Sequence, residues 1–116
     1  MKVVAGRIAD ISRGATSVKD SEDWNGDYLL PGLIELHTDN LEKHLMPRPK
    51  VNWPAFPALL SHDAEVAAAG ITTVFDALGV GDVDEAAMRG QDMRPLLDSI
   101  DDAEKHGLLR ADHLLH

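Results

Sequence analysis

A histidine and an aspartate two positions apart are the residues of this chain best suited to chemistry. His37 and Asp39 follow the apolar run Leu33–Leu36. Because side chains alternate along a strand, both project to the same side if the strand continues through them. An imidazole nitrogen and a carboxylate oxygen so placed can bind one divalent metal ion, and these donors suit Zn, Mn or Fe. His-x-Asp arises by chance in many chains, so the surrounding sequence must support this interpretation.

A short basic segment follows the pair. Residues 43–50 contain Lys43, Arg48 and Lys50 and no acidic residue, whereas the whole chain has a formal net charge of -9. A basic segment of this kind is a place where an anionic ligand could dock. A solvated loop with ordinary lysines explains the same composition, and both interpretations stay open at this point.

Three apolar runs after Pro31 predict β-strands that would position these residues. Residues 33–37 and the β-branched run 71–75 are typical of buried strands, and residues 111–116 read as the opening of a third. Helical segments separate them, so the order is strand, helix, strand, helix, strand. This alternation predicts an α/β fold with right-handed βαβ units around a parallel sheet.

The two separating segments have helical periodicity. Residues 58–69 and 93–103 place apolar side chains at helical spacing, and Gly70 and Gly107 stand where helix-ending glycines are expected. Residues 38–57 contain four prolines, a composition that predicts a long irregular loop. Long loops in compact domains are often functional.

Residues 1–30 are predicted to form a separate β-rich segment ahead of a domain at 31–116. Short β-type runs at residues 3–4, 7–11 and 16–18 are punctuated by glycine turns. We expect a small β-meander or β-sandwich there.

The composition limits the classes of partner that the chain is expected to bind. The net charge of -9 disfavours binding to nucleic acid or to an anionic membrane surface. No apolar run approaches the ~20 residues needed to cross a bilayer, and no secretion signal is visible. Cysteine is absent, so thiolate metal sites and disulfides are excluded, and a cytoplasmic location is the expectation.

The string PGLIELHTDN at residues 31–40 resembles the first barrel strand of the amidohydrolase superfamily. In that superfamily Pro-Gly and two hydrophobic residues precede an acid and a His-x-His pair. GITTV at residues 70–74 is similar to the superfamily's second strand, at the expected distance. Asp39 stands where the wider superfamily has its second histidine. A carboxylate there keeps a metal donor but adds negative charge.

The resemblance is closer to one branch, the PhnM-type diphosphatases of the carbon–phosphorus lyase pathway. That branch shares the aspartate and has HTDN, a leucine and an acid, then a Pro-Arg-Pro loop. Here these are residues 37–42 and 47–49, and SHDA at 61–64 and GDV at 81–83 are also similar. The match extends over nearly the whole chain from Trp24 onward.

The resemblance implies the N-terminal part of a (β/α)8 barrel, with about three βα units. It also implies a metal-dependent hydrolase that releases diphosphate from a small phosphorylated ribose, α-D-ribose 1-methylphosphonate 5-triphosphate. Under this hypothesis His37 and Asp39 are metal ligands. The residues expected to bind substrate are Arg48, Lys50, Lys43 and His62. No catalytic acid or base is assigned.

A complete barrel of this type needs ~250 residues, so the 116 residues are expected to be a truncated, inactive piece. A second copy that pairs with an open sheet edge is the alternative. Two other functions remain: an amide-cleaving or deacetylating member of the superfamily, and a non-catalytic binding or assembly module. Asp39 and the basic segment favour a polyanionic substrate over an amide. For His62, a partly exposed helix histidine is as good an interpretation as a substrate contact.

Overall fold

A computed structural model of the chain describes residues 1–79 and 93–116. These residues form two compact units, 1–30 and 31–116, each with its own sheet. In chain order the elements are β1 (Lys2–Val4), β2 (Arg7–Asp10), β3 (Leu33–Thr38), α1 (Asn40–Leu45), α2 (Ala55–Ala68), β4 (Ile71–Asp76), α3 (Arg94–Lys105) and β5 (Asp112–Leu115). None of these helices is long and apolar enough to cross a membrane. The motif at residues 81–83 lies outside the described residues.

The first unit contains one antiparallel hairpin. β1 pairs with β2 across the turn Ala5–Gly6, where φ is +49° and +72°. Positive φ at both central residues lets a tight turn follow the twist of the strands. The strand predicted at residues 16–18 is wrong, because Val18 N donates instead to the Thr16 hydroxyl at 3.2 Å. Local bonds of this kind compete with strand pairing. The first unit therefore has a single two-stranded sheet, and the β-sandwich stays a prediction.

The second unit contains a three-stranded sheet in the order β3-β4-β5, and both strand pairs are parallel. α1 and α2 connect β3 to β4, and α3 lies between β4 and β5 in the chain. This arrangement confirms the predicted mixed α/β class with a parallel sheet. It is compatible with part of an α/β barrel, whose closure stays a prediction.

The main core lies between the helices of the second unit. Its buried apolar members are Leu41, Leu45, Ala58, Leu59, Leu96, Ile100 and Ala103. A smaller cluster of Val66, Val74 and Ala111 joins α2 to the sheet. The apolar stripe predicted for α3 is therefore mostly core, although Leu97 is 38% exposed. Removal of these faces from water holds the helices against one another.

The proline-rich stretch contains more helix than predicted. α1 occupies six of its residues, and α2 begins at Ala55 instead of residue 58. Pro54 is the N-cap of α2 and Pro57 lies in its first turn, where a missing N–H leaves no intrahelical bond unmade. The expectation of a wholly irregular loop is wrong, because these prolines begin a helix instead of breaking one.

In this chain by itself β3 is exposed, so the burial predicted for this strand stays a prediction. Leu33, Ile34 and Leu36 are 60%, 59% and 71% exposed. Among the described strands, β3 lies at the edge of the sheet and pairs with β4. Apolar composition indicates that a strand is suited to burial, but the layers around it decide whether burial occurs.

Two glycines hold the start of β3 against β4. A Cβ atom on Gly32 would overlap the side chain of Thr72, so this approach requires glycine. Gly70 follows α2 with φ of +81°, a value that favours glycine, and its carbonyl accepts a bond from Leu33 N at 2.9 Å. The register that begins with Leu33 opposite Ile71 ends with Thr38 opposite Asp76. The carboxyl ends of β3 and β4 therefore lie side by side.

Candidate functional site

The carboxyl ends of the three parallel strands form one edge of the sheet. Thr38 pairs with Asp76 and Asp76 pairs with Leu115, so β3, β4 and β5 end at the same level. Two backbone bonds continue the ladder beyond the strands. Ala77 N donates to Thr38 O and His116 N donates to Asp76 O, both at 2.9 Å. In open and closed parallel sheets this edge is where ligands and catalytic groups are found.

His37 and Asp39 flank Thr38 at this edge. His37 Nε2 lies 3.8 Å from Asp39 Oδ1, and the two side chains are 60% and 68% exposed. Two ligands of one tetrahedral ion lie about 3.3 Å apart, since each is about 2.0–2.1 Å from the metal. Exposed side chains can close the remaining gap by rotation. The predicted pair therefore has the donor atoms, proximity and accessibility that a divalent ion requires.

His116 is a third donor at the same edge. Its ring lies 5.0 Å from the ring of His37, in an edge-to-face arrangement. The sequence left the direction of this side chain open, because it comes after the last residue of β5. The ring contact now places it next to the predicted pair.

The basic residues after β3 are all exposed. Lys43 lies in α1 and its Nζ donates to Asn40 Oδ1 at 2.9 Å, which fixes the ammonium near the start of the helix. Arg48 forms an isolated β-bridge with Val51, and Lys50 between them adopts φ of +65°. A left-handed lysine closes a tight turn here. Arg48 and Lys50 thus project from a defined turn that follows α1.

A second constellation of polar side chains lies buried between the sheet and α2. Asp76, the last residue of β4, binds two histidines. His62 Nε2 lies 2.7 Å from Asp76 Oδ1, and His113 Nδ1 lies 2.7 Å from Asp76 Oδ2. His62 and Asp76 have no exposed surface, and His113 is 4% exposed. Buried polar groups are costly unless hydrogen-bonded, so these contacts fix the relative positions of α2, β4 and β5.

Asp63, the neighbour of His62 in α2, binds the segment that leads into β5. Its Oδ1 accepts bonds from Arg110 N at 2.7 Å and Ala111 N at 3.0 Å, and its Oδ2 accepts one from Arg110 Nη1 at 2.9 Å. His113 Nε2 lies 3.5 Å from the same Oδ1. Adjacent residues of one helix thus hold the end of β4 and the start of β5.

The electrostatics of this cluster favour charged groups. Burial alone would raise the pKa of both Asp63 and Asp76. For Asp63 the bonds from the Ala111 and Arg110 backbone and from the Arg110 guanidinium outweigh burial and lower the pKa. For Asp76 the bonds from His113 and His62 likewise lower the pKa below its ordinary value. Burial would lower the pKa of His113, but the bond to Asp76 and the charges of Asp76 and Asp63 raise it.

The cluster also has donors of the kinds that bind metals. Three possible ligand atoms, one from each of His62, Asp76 and His113, all lie within 4.8 Å of one another. The described residues therefore offer two places where a divalent ion could be considered: the exposed strand edge and this buried cluster.

The interpretation of His62 as a partly exposed helix histidine is wrong, since the side chain is fully buried. In this position it has no surface with which to touch a polyphosphate. No motif in the sequence singles out Asp76 or His113, so the cluster around His62 was not predicted. The available signal was an adjacent His and Asp in a mostly apolar helix, together with polar residues in two strands.

Comparison with known proteins confirms the resemblance seen in the motifs. The chain is 45% identical over all 116 residues to the alpha-D-ribose 1-methylphosphonate 5-triphosphate diphosphatase of Escherichia coli (strain K12). It spans 31% of that protein's length. No protein-family model matches the chain. No solved structure matches it either.

Proposed function

We propose that this chain contributes part of the active site of a metal-dependent diphosphatase. The substrate would be α-D-ribose 1-methylphosphonate 5-triphosphate, which would lose diphosphate during phosphonate catabolism. The observation that carries the proposal is the 45% identity over the whole chain to a protein of that named activity. The motif at residues 37–42, including the shared aspartate, supports the same branch.

The strand edge supplies the groups that a hydrolytic metal site needs. His37 and Asp39 are the proposed ligands, because both are exposed and only 3.8 Å separates their donor atoms. A divalent ion held there would lower the pKa of a bound water and offset charge on phosphate oxygens. The Asp39 carboxylate is negatively charged, whereas a second imidazole would be neutral. It therefore lowers the net positive charge of the site when a metal ion is bound.

The basic residues after β3 are the proposed polyphosphate contacts. Arg48 can bind two phosphate oxygens with its planar fork, and Lys50 adds a mobile point charge from the same turn. Lys43 lies one helical turn beyond Asp39 and is available at the same end of α1. These three cations can offset part of the charge of a triphosphate. His62 is left out of the proposed contacts because it is buried.

The test is a chimera in which this chain replaces the aligned 31% of the Escherichia coli diphosphatase. Phosphorus NMR would follow the ribose triphosphate in the presence of Mn²⁺ or Zn²⁺. The parent enzyme and the 116-residue chain alone would be run in parallel. We expect diphosphate from the metal-loaded chimera and none after treatment with a chelator.

One further substrate, an acetylated amino sugar, makes the outcome decisive. A chimera that is folded and binds metal but releases no diphosphate contradicts the proposal. Cleavage of an acetylated amino sugar in its place would favour an amide hydrolase. If neither substrate is turned over while the 116 residues alone unfold cooperatively without metal, the binding-module interpretation is favoured.

A further inference from the structure

The buried residue Asp76 and the amide of the residue after it make four connections at the strand edge. Its carboxylate binds His62 of α2 and His113 of β5, both at 2.7 Å. Its carbonyl accepts the bond from His116 N, and the next amide, Ala77 N, donates to Thr38 O. Thr38 is the residue between His37 and Asp39. Asp76 is thus the point where the helix layer and all three strand ends meet.

The distances within the cluster indicate protons between the side chains. Each imidazole nitrogen lies 2.7 Å from its carboxylate oxygen, a short and strong hydrogen-bond distance. Ligands of one tetrahedral zinc ion would stand about 3.3 Å apart, so an ion here would have to push both histidines away from Asp76. His62 and Asp76 have no exposed surface and His113 is 4% exposed, so such expansion would have to displace packed neighbours.

The charges of the cluster balance with protons alone. Both ring nitrogens of His113 face carboxylates, Nδ1 toward Asp76 and Nε2 toward Asp63, so its cationic form is favoured. Arg110 provides a second cation beside Asp63. The His113 ring and the Arg110 guanidinium thus offset the negative charge of the two carboxylates. Among the described residues, His62 Nδ1 and His113 Nε2 are buried without a hydrogen-bond partner.

We propose that Asp76 is a positioning residue, held from behind by His62 and His113, that fixes where His37, Asp39 and His116 stand at the strand edge. Within the part of the chain that the structure describes, the cluster is a proton-bonded support and the metal ion binds at the exposed edge. The arrangement of the strand ends is a statement about this chain by itself. Its consequence for catalysis rests on the proposed function.

The first experiment uses the 116-residue chain without metal or substrate. Asp76→Asn would be compared with Asp98→Asn, which removes the same charge from an exposed position of α3. Proton NMR would measure the cross-relaxation between the His37 and His116 rings and the hydrogen exchange of the Ala77 amide. We expect Asp76→Asn to remove the ring contact and to speed Ala77 exchange by about tenfold or more. Asp98→Asn should leave both unchanged.

A pair of substitutions at His62 separates positioning from general loss of stability. His62→Gln keeps an N–H donor near the position of Nε2, whereas His62→Leu fills similar space without one. The Gln variant should retain the His37–His116 contact and the Leu variant should lose it. If Asp76→Asn does not fold, this pair decides the question alone. Equal ring contacts in the two variants, or an unchanged contact in folded Asp76→Asn, would overturn the proposal.

Zinc titration monitored by the nitrogen signals of the histidine rings tests the proton assignment. We expect Zn²⁺ to shift the signals of His37 and to leave those of His62 and His113 in place. Zinc-induced shifts of the His62 and His113 nitrogens at one equivalent would overturn the assignment and make the cluster an ion site.

In the chimera, Asp76→Asn should lower kcat far more than it changes KM. An inactive chimera with the expected NMR results would reject the proposed function and leave the positioning role intact.

Discussion

Asp63 and Arg110 are 47 residues apart in the chain, yet the Asp63 carboxylate binds Arg110 through both its backbone amide, at 2.7 Å, and its guanidinium, at 2.9 Å. The carboxylate is fully buried, whereas the arginine side chain is 62% exposed. α2 is therefore tied to the entrance of β5 mainly through buried backbone donors, with the guanidinium at the surface.

This asymmetry predicts different costs for the two partners. Asp63→Asn should lower the free energy of unfolding by about 2–3 kcal/mol, because it leaves buried N–H groups without a charged acceptor. Arg110→Ala should cost less than about 1 kcal/mol, since exposed ion pairs contribute little. Urea unfolding followed by circular dichroism measures both. Equal losses would contradict the dominance of the backbone donors.

The same cluster predicts how stability depends on pH. The pKa of Asp63 and of Asp76 is lowered in the folded state, so their contribution is present above their ordinary value of 3.8 and is lost as the pH falls through the folded values. The pKa of His113 is raised, so its contribution is complete below 6.5 and is lost as the pH rises through the folded value. The urea midpoint should be highest between these limits.

His113→Gln is the control for the alkaline part of that profile. The groups that face His113 are Asp76, Asp63, His62 and, through Asp63, Arg110. Of these, the carboxylates stay charged above pH 6.5. The variant should therefore be less stable than the parent at pH 6 but should lose the decline above it. A decline that persists in the variant would assign the transition to another group.

Metal binding should depend on the exposed edge. His37→Ala and Asp39→Asn should each weaken Mn²⁺ or Zn²⁺ binding to the chain by at least about tenfold, as loss of a ligand removes a direct bond. Because both side chains are exposed, the free energy of unfolding without metal should change by no more than about 0.5 kcal/mol. Isothermal titration calorimetry measures the affinity, with the exposed His106→Gln as the matched control.

The turn after α1 should affect substrate binding before turnover. In the chimera, Arg48→Ala should raise KM for the ribose triphosphate by about tenfold, because a charge-assisted contact to phosphate is lost. Arg48→Lys should recover part of the effect, since lysine keeps the charge but loses the fork. Arg13→Ala, at an exposed position of the first unit, should leave KM unchanged. Unchanged KM and kcat for Arg48→Ala would remove this residue from the site.

The approach of Gly32 to Thr72 predicts a cost for any side chain at position 32. Gly32→Ala would force its methyl group into Thr72 and should destabilise the chain by about 1–3 kcal/mol. Thr72→Gly in the same chain should recover part of that loss by removing the overlapping atoms. Additive losses in the double variant would show that the overlap is not the cause.

Local sequence was sufficient for most elements of the second unit. Residues 71–76 and 112–115 form the predicted strands, and Leu96, Ile100 and Ala103 form the predicted buried stripe, because strand and helix periodicities are short-range properties. The motif at residues 37–42 likewise indicated the similarity that the whole-chain comparison confirmed. Proline position was harder to interpret, since Pro57 is unfavourable inside a helix but harmless in its first turn.

The tertiary structure decided which polar residues meet. His62, Asp76 and His113 come from a helix and two strands, and the separations of 14 and 37 residues between hydrogen-bonded partners have no local signature. Burial of the carboxylates was also decided there, since Asp63 and Asp76 have no exposed surface. Periodicity describes what one segment can bury. The packing of separate segments decides which partners surround a polar group. It therefore also decides which groups can be charged while buried.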